Sequence, residues 1–360
     1  MSLPRRAVLT GIAAALALAT PASAQEKPAQ VDPVVAYTLA TLPSYVPGAP
    51  ITGTIRIWGH GSPKRDFMGN LVRRWFGEFQ RHQPGVSLDY RMYGTASAIG
   101  ALATGDATIA LLGEEISPDA VAMFRRARGY APTKVEVANG SVNVNYFDYA
   151  HMIFVNRDNP LAKMTLSQLA AVFGDGNRCA KRNIRTWGQL GLGGSWVDRP
   201  IMPYAWKTDI DFALFFRERV LCGSHRWNPA TREYMPIAQP DGSVLQHGQQ
   251  ILNALAKDRY GIAISSIVFA NPEVKPLALA WDTKRGFVPA TKATLIARTY
   301  PLGRIIPAYI DRKPGVPLAP ADREFLRYIL SREGQTALVE ESGYLPLSRS
   351  SLERARRLLQ

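Results

Sequence analysis

Three short turns in the sequence join a predicted strand to a predicted helix and carry small polar residues at the junction. They are Gly59-His60-Gly61-Ser62, Gly94-Thr95-Ala96-Ser97 and Lys207-Thr208-Asp209. Glycine lets backbone N–H groups approach a ligand closely, and Ser and Thr hydroxyls add further donors. A helix amino terminus also presents unpaired N–H groups and about half a positive charge, which attract oxyanions. The three turns therefore predict an anion-binding site.

The polar side chains of these turns have a second possible role. Each hydroxyl could simply cap its own helix, which is the common use of Ser and Thr at such a position. We favour a shared anion site because the same pattern recurs in both halves of the chain. The candidate ligand contacts are Gly61, Ser62, Thr95, Ser97, Lys207, Thr208 and Asp209.

The usual catalytic signatures are absent from the sequence. It contains no Gly-x-Ser-x-Gly elbow, no His-Glu-x-x-His and no complete Walker loop. The histidines share no metal-ligand spacing, and we interpret them as surface or structural residues; they are His60, His82, His151, His225 and His247. His60 is the exception to watch, because it lies between two glycines in a strand-to-helix turn. We therefore predict no metal, cofactor or enzyme activity. A phosphate-ester hydrolase is the weaker alternative, with Ser62 as nucleophile and His60 as base. Two residues so close on one turn rarely point at each other.

The segments around the first two turns alternate between strand and helix. Alternating or apolar runs predict strands at 54–58, 86–90 and 108–112. A helical pattern follows the first strand at 66–80, and a shorter helix after the second strand ends near residue 104. Strand, turn and helix in repetition indicate an α/β fold with mostly parallel sheets and helices on both faces.

A second unit interrupts the first. Its predicted elements are strands at 149–155, 201–206 and 262–264 and helices at 166–173, 209–220 and 245–257. Extended segments at 274–280 and 304–310 and helices at 321–330 and 333–341 complete the chain. We predict one lobe from 51–148 and 275–360, and a second from 149–274, with crossovers near 148–150 and 270–275. A cleft between such lobes is the expected ligand site. Residues 25–50 contain five prolines and are predicted to be an irregular leader.

The amino terminus has the pattern of a secretory signal. Arg5 and Arg6 precede an apolar stretch at 7–20, and Ala22-Ser23-Ala24 has the small residues that a signal peptidase requires. We predict cleavage after Ala24 and a periplasmic location. A membrane anchor is less favoured because the apolar stretch is short. The paired arginines leave both general and twin-arginine export open.

The chain is basic, which admits several classes of partner. It has 43 Lys and Arg against 29 Asp and Glu, a formal charge of +14 in 360 residues. Residues 1–24 hold two arginines and no acid, so removing them lowers this charge to +12. An exported protein rarely meets nucleic acid, and its basic residues are scattered. A small anion or an acidic envelope surface is therefore the expected partner.

The sequence contains only two cysteines, Cys179 and Cys222. An even number in an oxidising compartment predicts a disulfide, which would stabilise the fold by about 4 kcal/mol in the chain-entropy model. A metal or redox pair is disfavoured because no Cys-x-x-Cys spacing occurs.

Several longer segments carry a family resemblance. Residues 165–174 with 185–191 resemble a helix and an "nWnqlG" segment of the periplasmic phosphate-binding proteins of phosphate ABC importers. Residues 300–304 with 343–347 resemble the carboxyl-terminal signature of those proteins, and 94–99 resembles their "GSGSGI" loop. The resemblance covers about residues 52–348. It implies the two-lobed type II periplasmic binding protein fold.

The resemblance also implies a function: capture of phosphate or a related oxyanion between two lobes, and delivery to an ABC permease in the inner membrane. We expect a monomer that does not bind nucleic acid. In the family, neutral donors and one carboxylate hold the ion. Here Trp206 and Lys207 replace a Ser-Gly pair before Thr208. The possible cations are Lys64, Arg65 and Lys207, and the possible acceptors are Asp66, Asp209 and Glu114. A sensor or envelope-interaction protein with the same fold is the alternative.

Overall fold

The computed structural model describes residues 31–60, 67–113, 115–144, 149–176 and 178–360. The helices in this part are α1 (Pro33–Thr41), α2 (Phe67–Gln80), α3 (Thr95–Thr104), α4 (Pro118–Arg128), α5 (Leu166–Phe173), α6 (Leu214–Val220), α7 (His247–Leu255), α8 (Lys292–Ile296), α9 (Pro320–Ile329), α10 (Arg332–Ser342) and α11 (Arg349–Arg357). The strands are β1 (Gly53–Gly59), β2 (Val86–Arg91), β3 (Ile109–Leu111), β4 (Thr133–Asn139), β5 (Met152–Asn156), β6 (Lys163–Thr165), β7 (Met202–Trp206), β8 (Arg232–Tyr234), β9 (Ile237–Ala238), β10 (Val244–Leu245), β11 (Gly261–Ser265), β12 (Val274–Pro276), β13 (Ala278–Ala280) and β14 (Ile305–Ile310).

Two five-stranded sheets organise the described chain. Their strand orders are β2-β1-β3-β14-β4 and β12-β5-β11-β7-β8. In the first sheet only β14 runs against the other strands, and in the second only β5 does. The prediction of mostly parallel sheets in an α/β fold is therefore confirmed.

The first sheet is covered by helices on both faces, as its strand β3 shows. Ile109 and Leu111 point into the core shared with α2, α9 and α10. Ala110 and Leu112 point to the opposite face and pack with residues of α3 and α4. Alternate residues of a strand point to opposite faces of the sheet, so a continuous apolar run such as this one is buried on both faces. A fully buried large apolar side chain contributes roughly 1.5–3 kcal/mol to stability.

The second sheet is also enclosed, because every residue of β5 and β11 is buried. A disulfide between Cys179 and Cys222 ties the chain after α5 to the end of α6, and their Cα atoms lie 5.8 Å apart. The predicted cysteine pair is thus confirmed.

Two connections join the sheets and lie side by side. One is the segment from β4 to β5, and the other is the segment before β14. Gly140 donates its N–H to the Arg304 carbonyl at 2.9 Å, and His151 donates its N–H to the Leu302 carbonyl at 3.1 Å. Because β14 and β5 are the reversed strands, both connections leave from the edges at which the parallel strands end. The carboxyl-terminal edges of the two sheets therefore meet at these connections.

The return connection lies later in the chain than the sequence predicts. Strand β13 pairs with β6, and Leu295, Tyr300 and Leu302 belong to the core of the second sheet. The chain therefore returns to the first sheet at 302–304, whereas the prediction placed the return at 270–275. Periodicity identifies an extended segment but does not reveal which sheet it joins.

The predicted irregular leader contains a helix, α1. Pro33 is its first residue, where a missing N–H costs nothing, so proline there favours a helix start. The Arg332 guanidinium donates to the Leu42 carbonyl at 2.8 Å and the Ala40 carbonyl at 3.2 Å. These bonds satisfy carbonyl groups at the helix end. Four of the five prolines of 25–50 lie outside this helix and the fifth, Pro33, begins it, so the prolines do not exclude a helix here.

Candidate ligand-binding site

The first-sheet side of the site is the turn that follows β1. Gly94 donates its N–H to the Gly59 carbonyl at 3.0 Å, and His60 donates its N–H to the Leu111 carbonyl at 2.9 Å. A Cβ on Gly59 would lie 2.6 Å from the Leu111 carbonyl oxygen. Glycine is therefore required there for the two turns and β3 to approach each other this closely.

The amino terminus of α3 lies at the same edge. Gly94 precedes the helix with φ at 110°, and no side chain caps the first turn. Ser97 donates its hydroxyl hydrogen to the Gly94 carbonyl at 2.8 Å, while Thr95 Oγ1 lies 3.5 Å from His60 Nδ1. Neither hydroxyl is the N-cap of α3, so the simple capping interpretation does not describe this turn.

The other predicted contacts on this side lie outside the described residues. They are Gly61 and Ser62, together with Lys64, Arg65, Asp66 and Glu114.

The predicted contacts of the second sheet follow β7. Lys207 Nζ lies 3.2 Å from Asp209 Oδ2, and the Thr208 hydroxyl donates to Glu233 Oε1 at 2.5 Å. Within the described part, no hydrogen bond or ion pair joins these residues to those of α3. The Lys207 and Asp209 side chains are 45% and 68% exposed, and so exposed an ion pair is worth at most about 1 kcal/mol. Their ion pair can therefore exchange easily for a ligand.

A buried arginine on the return connection links the two sheets. Arg304 has a 2% exposed side chain, and its Nη2 donates to Glu115 Oε2 at 2.7 Å. Glu115 follows β3 of the first sheet. The guanidinium also lies 5.8 Å from the ring centre of Phe212 and 5.4 Å from that of Phe215, both beside the second sheet. Arg304 belongs to residues 300–304, one of the segments that resemble the phosphate-binding proteins. Nothing in the sequence pattern predicted that it would link the two sheets.

Next to this pair, a hollow of about 410 Å³ opens between the two sheets. Glu115 and Lys134 line it from the first sheet, and Arg219 and Trp281 line it from the second. The Arg219 guanidinium lies 5.0 Å from the ring centre of Trp281. The connections are thus bordered by charged and aromatic side chains.

An aromatic cluster occupies the second-sheet side of the connections. It consists of Tyr149, His151, Trp206, Phe212 and His247. The ring centres of His151 and Trp206 are 4.6 Å apart, and that of Phe212 lies 5.3 Å from His151 and 5.2 Å from His247. Tyr149 and His151 lie just before β5, Trp206 ends β7 and His247 begins α7, while Phe212 lies between β7 and α6. The start of β5, the end of β7 and the start of α7 are all at the edge that faces the connections.

The polar atoms of this cluster are buried without partners. Among the described residues, Tyr149 Oη, both ring nitrogens of His151, Trp206 Nε1 and His247 Nδ1 lack a hydrogen-bond partner. Burial, with the charges of Arg304 and His247, holds the pKa of His151 well below its usual value. Burial lowers the pKa of His247 to about 4 and raises that of Tyr149. At neutral pH the three side chains are therefore uncharged.

The sequence interpretation did not single out His151 or His247, because it treated the histidines other than His60 as surface or structural residues. One signal was present for His151. It is an ionisable ring within the otherwise apolar run at 149–155.

A metal centre finds no support in the described residues, which contain no group of three or more His, Cys, Asp or Glu side chains arranged to hold an ion.

Comparison with known proteins identifies the family. Residues 47–333 match the family described as PBP superfamily domain. The chain is 30% identical over 351 residues to the Phosphate-binding protein PstS of Pseudomonas aeruginosa, covering 97% of this chain and 96% of that protein. It is 24% identical over 273 residues to Protein SphX of Synechococcus elongatus, covering 75% of this chain and 72% of that protein.

Two solved structures share the fold. PstS from Borrelia burgdorferi has a TM-score of 0.53 and 14% identity, covering 82% of this chain and 98% of that one. An ABC-type phosphate transport receptor from Vibrio cholerae has a TM-score of 0.51 and 16% identity, covering 81% and 99%. With the two sheets and their paired connections, these matches show the type II periplasmic binding protein fold. The chain belongs to the PBP superfamily and, within it, to the family of the phosphate-binding protein PstS.

Proposed function

We propose that the protein is an exported substrate-binding protein that captures phosphate, or a related oxyanion, between two lobes and delivers it to an ABC permease in the inner membrane. The observation that carries this proposal is the 30% identity to a phosphate-binding protein over 97% of the chain. The geometry supports it, because glycine turns, a helix amino terminus and a buried arginine border the edge where the sheets meet.

The lobes correspond to the two sheets. We place the first lobe at about 51–140 and 303–360 and the second at about 141–302, which moves the predicted return from 275 to the observed second connection. The two hydrogen-bonded connections form the hinge, with Gly140 bound to Arg304 and His151 bound to Leu302. Closure about such a hinge would bring the two edges onto one ion.

The predicted contacts divide between these lobes. Gly61, Ser62, Thr95 and Ser97 would bind from the first lobe, mainly through hydroxyl and backbone N–H donors. Lys207, Thr208 and Asp209 would bind from the second after exchanging their present partners. Neutral donors suit an oxyanion at a helix amino terminus, where the peptide dipoles already supply positive potential.

We place the mature protein in the periplasm, because the signal pattern predicts export and cleavage after Ala24. We also expect the mature protein to be a monomer. Within the described residues, no helix is both long and apolar enough to cross a bilayer. We propose binding without turnover, in keeping with the name of the Pseudomonas aeruginosa relative, which describes phosphate binding. The mature protein should therefore release no phosphate from phosphate esters, and light scattering should give the monomer mass.

The proposal is tested by titration calorimetry of the mature protein with phosphate, sulfate and organophosphates. Saturable binding of phosphate is expected, and Thr95→Val should weaken it while leaving the melting temperature nearly unchanged. Thr336→Val is the matched control, because Thr336 lies on α10 and bonds only within its own helix. Absence of binding to any of these anions at millimolar concentration would refute the proposal.

A further inference from the structure

We propose that a pocket between α9 and the end of α11, lined by Arg323, Arg327 and Arg356, binds an anion that carries a phosphate group. This arginine pocket is separate from the cleft, so the inference goes beyond the proposed function. Its volume is about 470 Å³, which lies within the range of roughly 300–1,000 Å³ typical of small-molecule sites. Leu359 and Gln360 complete its lining.

The arginine pocket lies at the edge of the first sheet opposite the cleft. Asp322 of α9 accepts at 2.7 Å from the hydroxyl of Thr108, which directly precedes β3. Arg312, just after β14, donates to the main-chain oxygens of Leu358 and Gln360. The parallel strands begin at this edge and β14 ends there, whereas the connections between the sheets lie where the parallel strands end. Strand β1 has seven residues, so roughly 20 Å separates the two edges, and a ligand here cannot share contacts with an anion in the cleft.

Two of the three arginines have no partner in the part of the chain that the structure describes. The side chains of Arg323 and Arg356 make no hydrogen bond or ion pair there, whereas Arg327 donates to Glu324 Oε2 at 2.7 Å. Burial, together with the positive charge of Arg327, lowers the pKa of Arg356 below its usual value. Like charges held close together repel each other, and a bound anion would relieve that repulsion.

The carboxylates that act on Arg356 are already engaged by other groups. They are Glu324 and Glu353. Glu324 has a 5% exposed side chain and accepts hydrogen bonds on both of its oxygens, one of them from Arg327. Glu353 is paired with Arg349 at 2.9 Å. The positive charge of the arginine pocket is therefore only partly balanced by the described protein.

A phosphate group suits this set of side chains. A guanidinium presents its N–H donors in a planar fork that matches two oxygens of a phosphate, and several arginines can bind one such group. The pocket is larger than a bare phosphate ion, and Leu359 supplies an apolar wall for the carbon atoms to which the phosphate is attached. Two sources share this chemistry: the headgroup of an anionic phospholipid and a free phosphate ester. The first corresponds to the acidic envelope surface expected from the net charge of the chain.

The first experiment measures binding of the full mature chain to vesicles of phosphatidylglycerol and phosphatidylcholine at about 0.15 M salt, where distant charges are screened. The double variant Arg323→Gln/Arg356→Gln should bind these vesicles roughly 10- to 30-fold more weakly than the wild type, because each arginine near an anionic bilayer adds to the attraction. The matched control is Arg157→Gln/Arg285→Gln. It removes the same charge from side chains that are 57% and 65% exposed and are paired with other acids.

The second experiment titrates the same three proteins with glycerol 1-phosphate in a calorimeter. Any binding in the cleft is common to all three, so a binding event that only Arg323→Gln/Arg356→Gln loses belongs to the arginine pocket. That event should weaken by at least about 10-fold. A defect on vesicles alone assigns the lipid headgroup, a defect with glycerol 1-phosphate alone assigns the free ester, and a defect in both assigns a site that accepts either. Equal behaviour of the two double variants in both experiments would overturn the inference.

The melting temperature shows whether the double variant keeps its fold. It should stay within about 1 °C of the wild type, because neither arginine has a partner to lose. If that variant fails to fold, Arg323→Gln alone, at an exposed position, should still weaken binding roughly 3- to 5-fold, and unchanged binding would overturn the inference. None of these comparisons requires phosphate in the cleft. A cleft that binds no phosphate would therefore refute the proposed function and leave this inference in place.

Discussion

The ion pair between Arg304 and Glu115 should be one of the most sensitive polar contacts in the protein. Its arginine side chain is 2% exposed and its glutamate 24% exposed, so water can replace little of what the carboxylate provides. Glu115 accepts from Arg304 Nη2 at 2.7 Å and from Nε at 3.4 Å. The substitution Glu115→Gln keeps the shape of the side chain and one acceptor oxygen but removes the charge.

The expected loss follows from these contacts. Removing one partner of a buried pair costs about 3–5 kcal/mol, and the retained amide oxygen with the stacked Phe212 and Phe215 rings should reduce this to about 2–3 kcal/mol. Unfolding entropy is about 2.1 cal/mol/K per residue, which for a folded unit of roughly 330 residues is about 0.7 kcal/mol/K. The melting temperature of Glu115→Gln should therefore fall by about 3–4 °C.

Differential scanning calorimetry of the ligand-free protein measures this shift directly. The control is Glu353→Gln, which removes the partner of Arg349 from a pair whose side chains are 47% and 65% exposed. So exposed a pair is worth about 0.5 kcal/mol, which predicts a shift below about 1 °C. Equal shifts for the two variants would refute the argument that burial makes the Arg304 pair important.

Three further changes test the packing of the fold. Burial raises the pKa of Asp322 from 3.8 to about 6, so the folded state binds the proton more tightly and wild-type stability falls as pH rises through this range. Asp322→Asn should then gain about 2–3 kcal/mol at neutral pH and nothing below about pH 4, in urea unfolding at each pH. Replacing Cys179 and Cys222 by alanine should cost about 4 kcal/mol, seen as a melting temperature lower by about 6 °C. Gly59→Ala should cost about 1–3 kcal/mol and weaken phosphate binding, because its Cβ meets a backbone carbonyl 2.6 Å away.

Each of these changes has its own control. The Thr108 hydroxyl donates to Asp322 Oδ1 at 2.7 Å, and asparagine keeps an oxygen that can accept this hydrogen bond. A loss of stability in Asp322→Asn at neutral pH would therefore contradict the predicted gain. Reductant should shift the wild type but not the double cysteine variant. Gly100→Ala, in open space within α3, should gain about 0.5–1 kcal/mol, and a comparable gain for Gly59→Ala would contradict the steric argument.

Most of the fold could be predicted because its elements follow local periodicity. The helix pattern at 66–80 and the strand patterns at 54–58 and 86–90 correspond to α2, β1 and β2 almost residue for residue. The elements that the sequence did not predict are those whose stability comes from tertiary contacts. Helix α1 is flanked by prolines and bonded at its end by Arg332 from a distant helix, which no local pattern reveals.

Only the part of the candidate site that depends on local sequence could be predicted. The glycine turns before α3 were visible because glycine and hydroxyl residues follow strand patterns. The aromatic cluster joins Tyr149, His151, Trp206 and His247 from three separate segments, and only the sheet order brings them together. Their chemistry also depends on burial: an exposed histidine titrates near neutral pH, while His151 stays neutral.

The basic composition has a structural explanation in the described part of the chain. Arg219 lies over the rings of Phe215 and Trp281, Arg185 donates to carbonyl groups at the end of α5, and Arg332 does the same for α1. A planar, delocalised cation suits both uses, since it covers a ring face or several carbonyl oxygens at once. Arginines engaged in this way add to the net charge without facing a ligand. The charge of +14 therefore says little about which anion the protein binds.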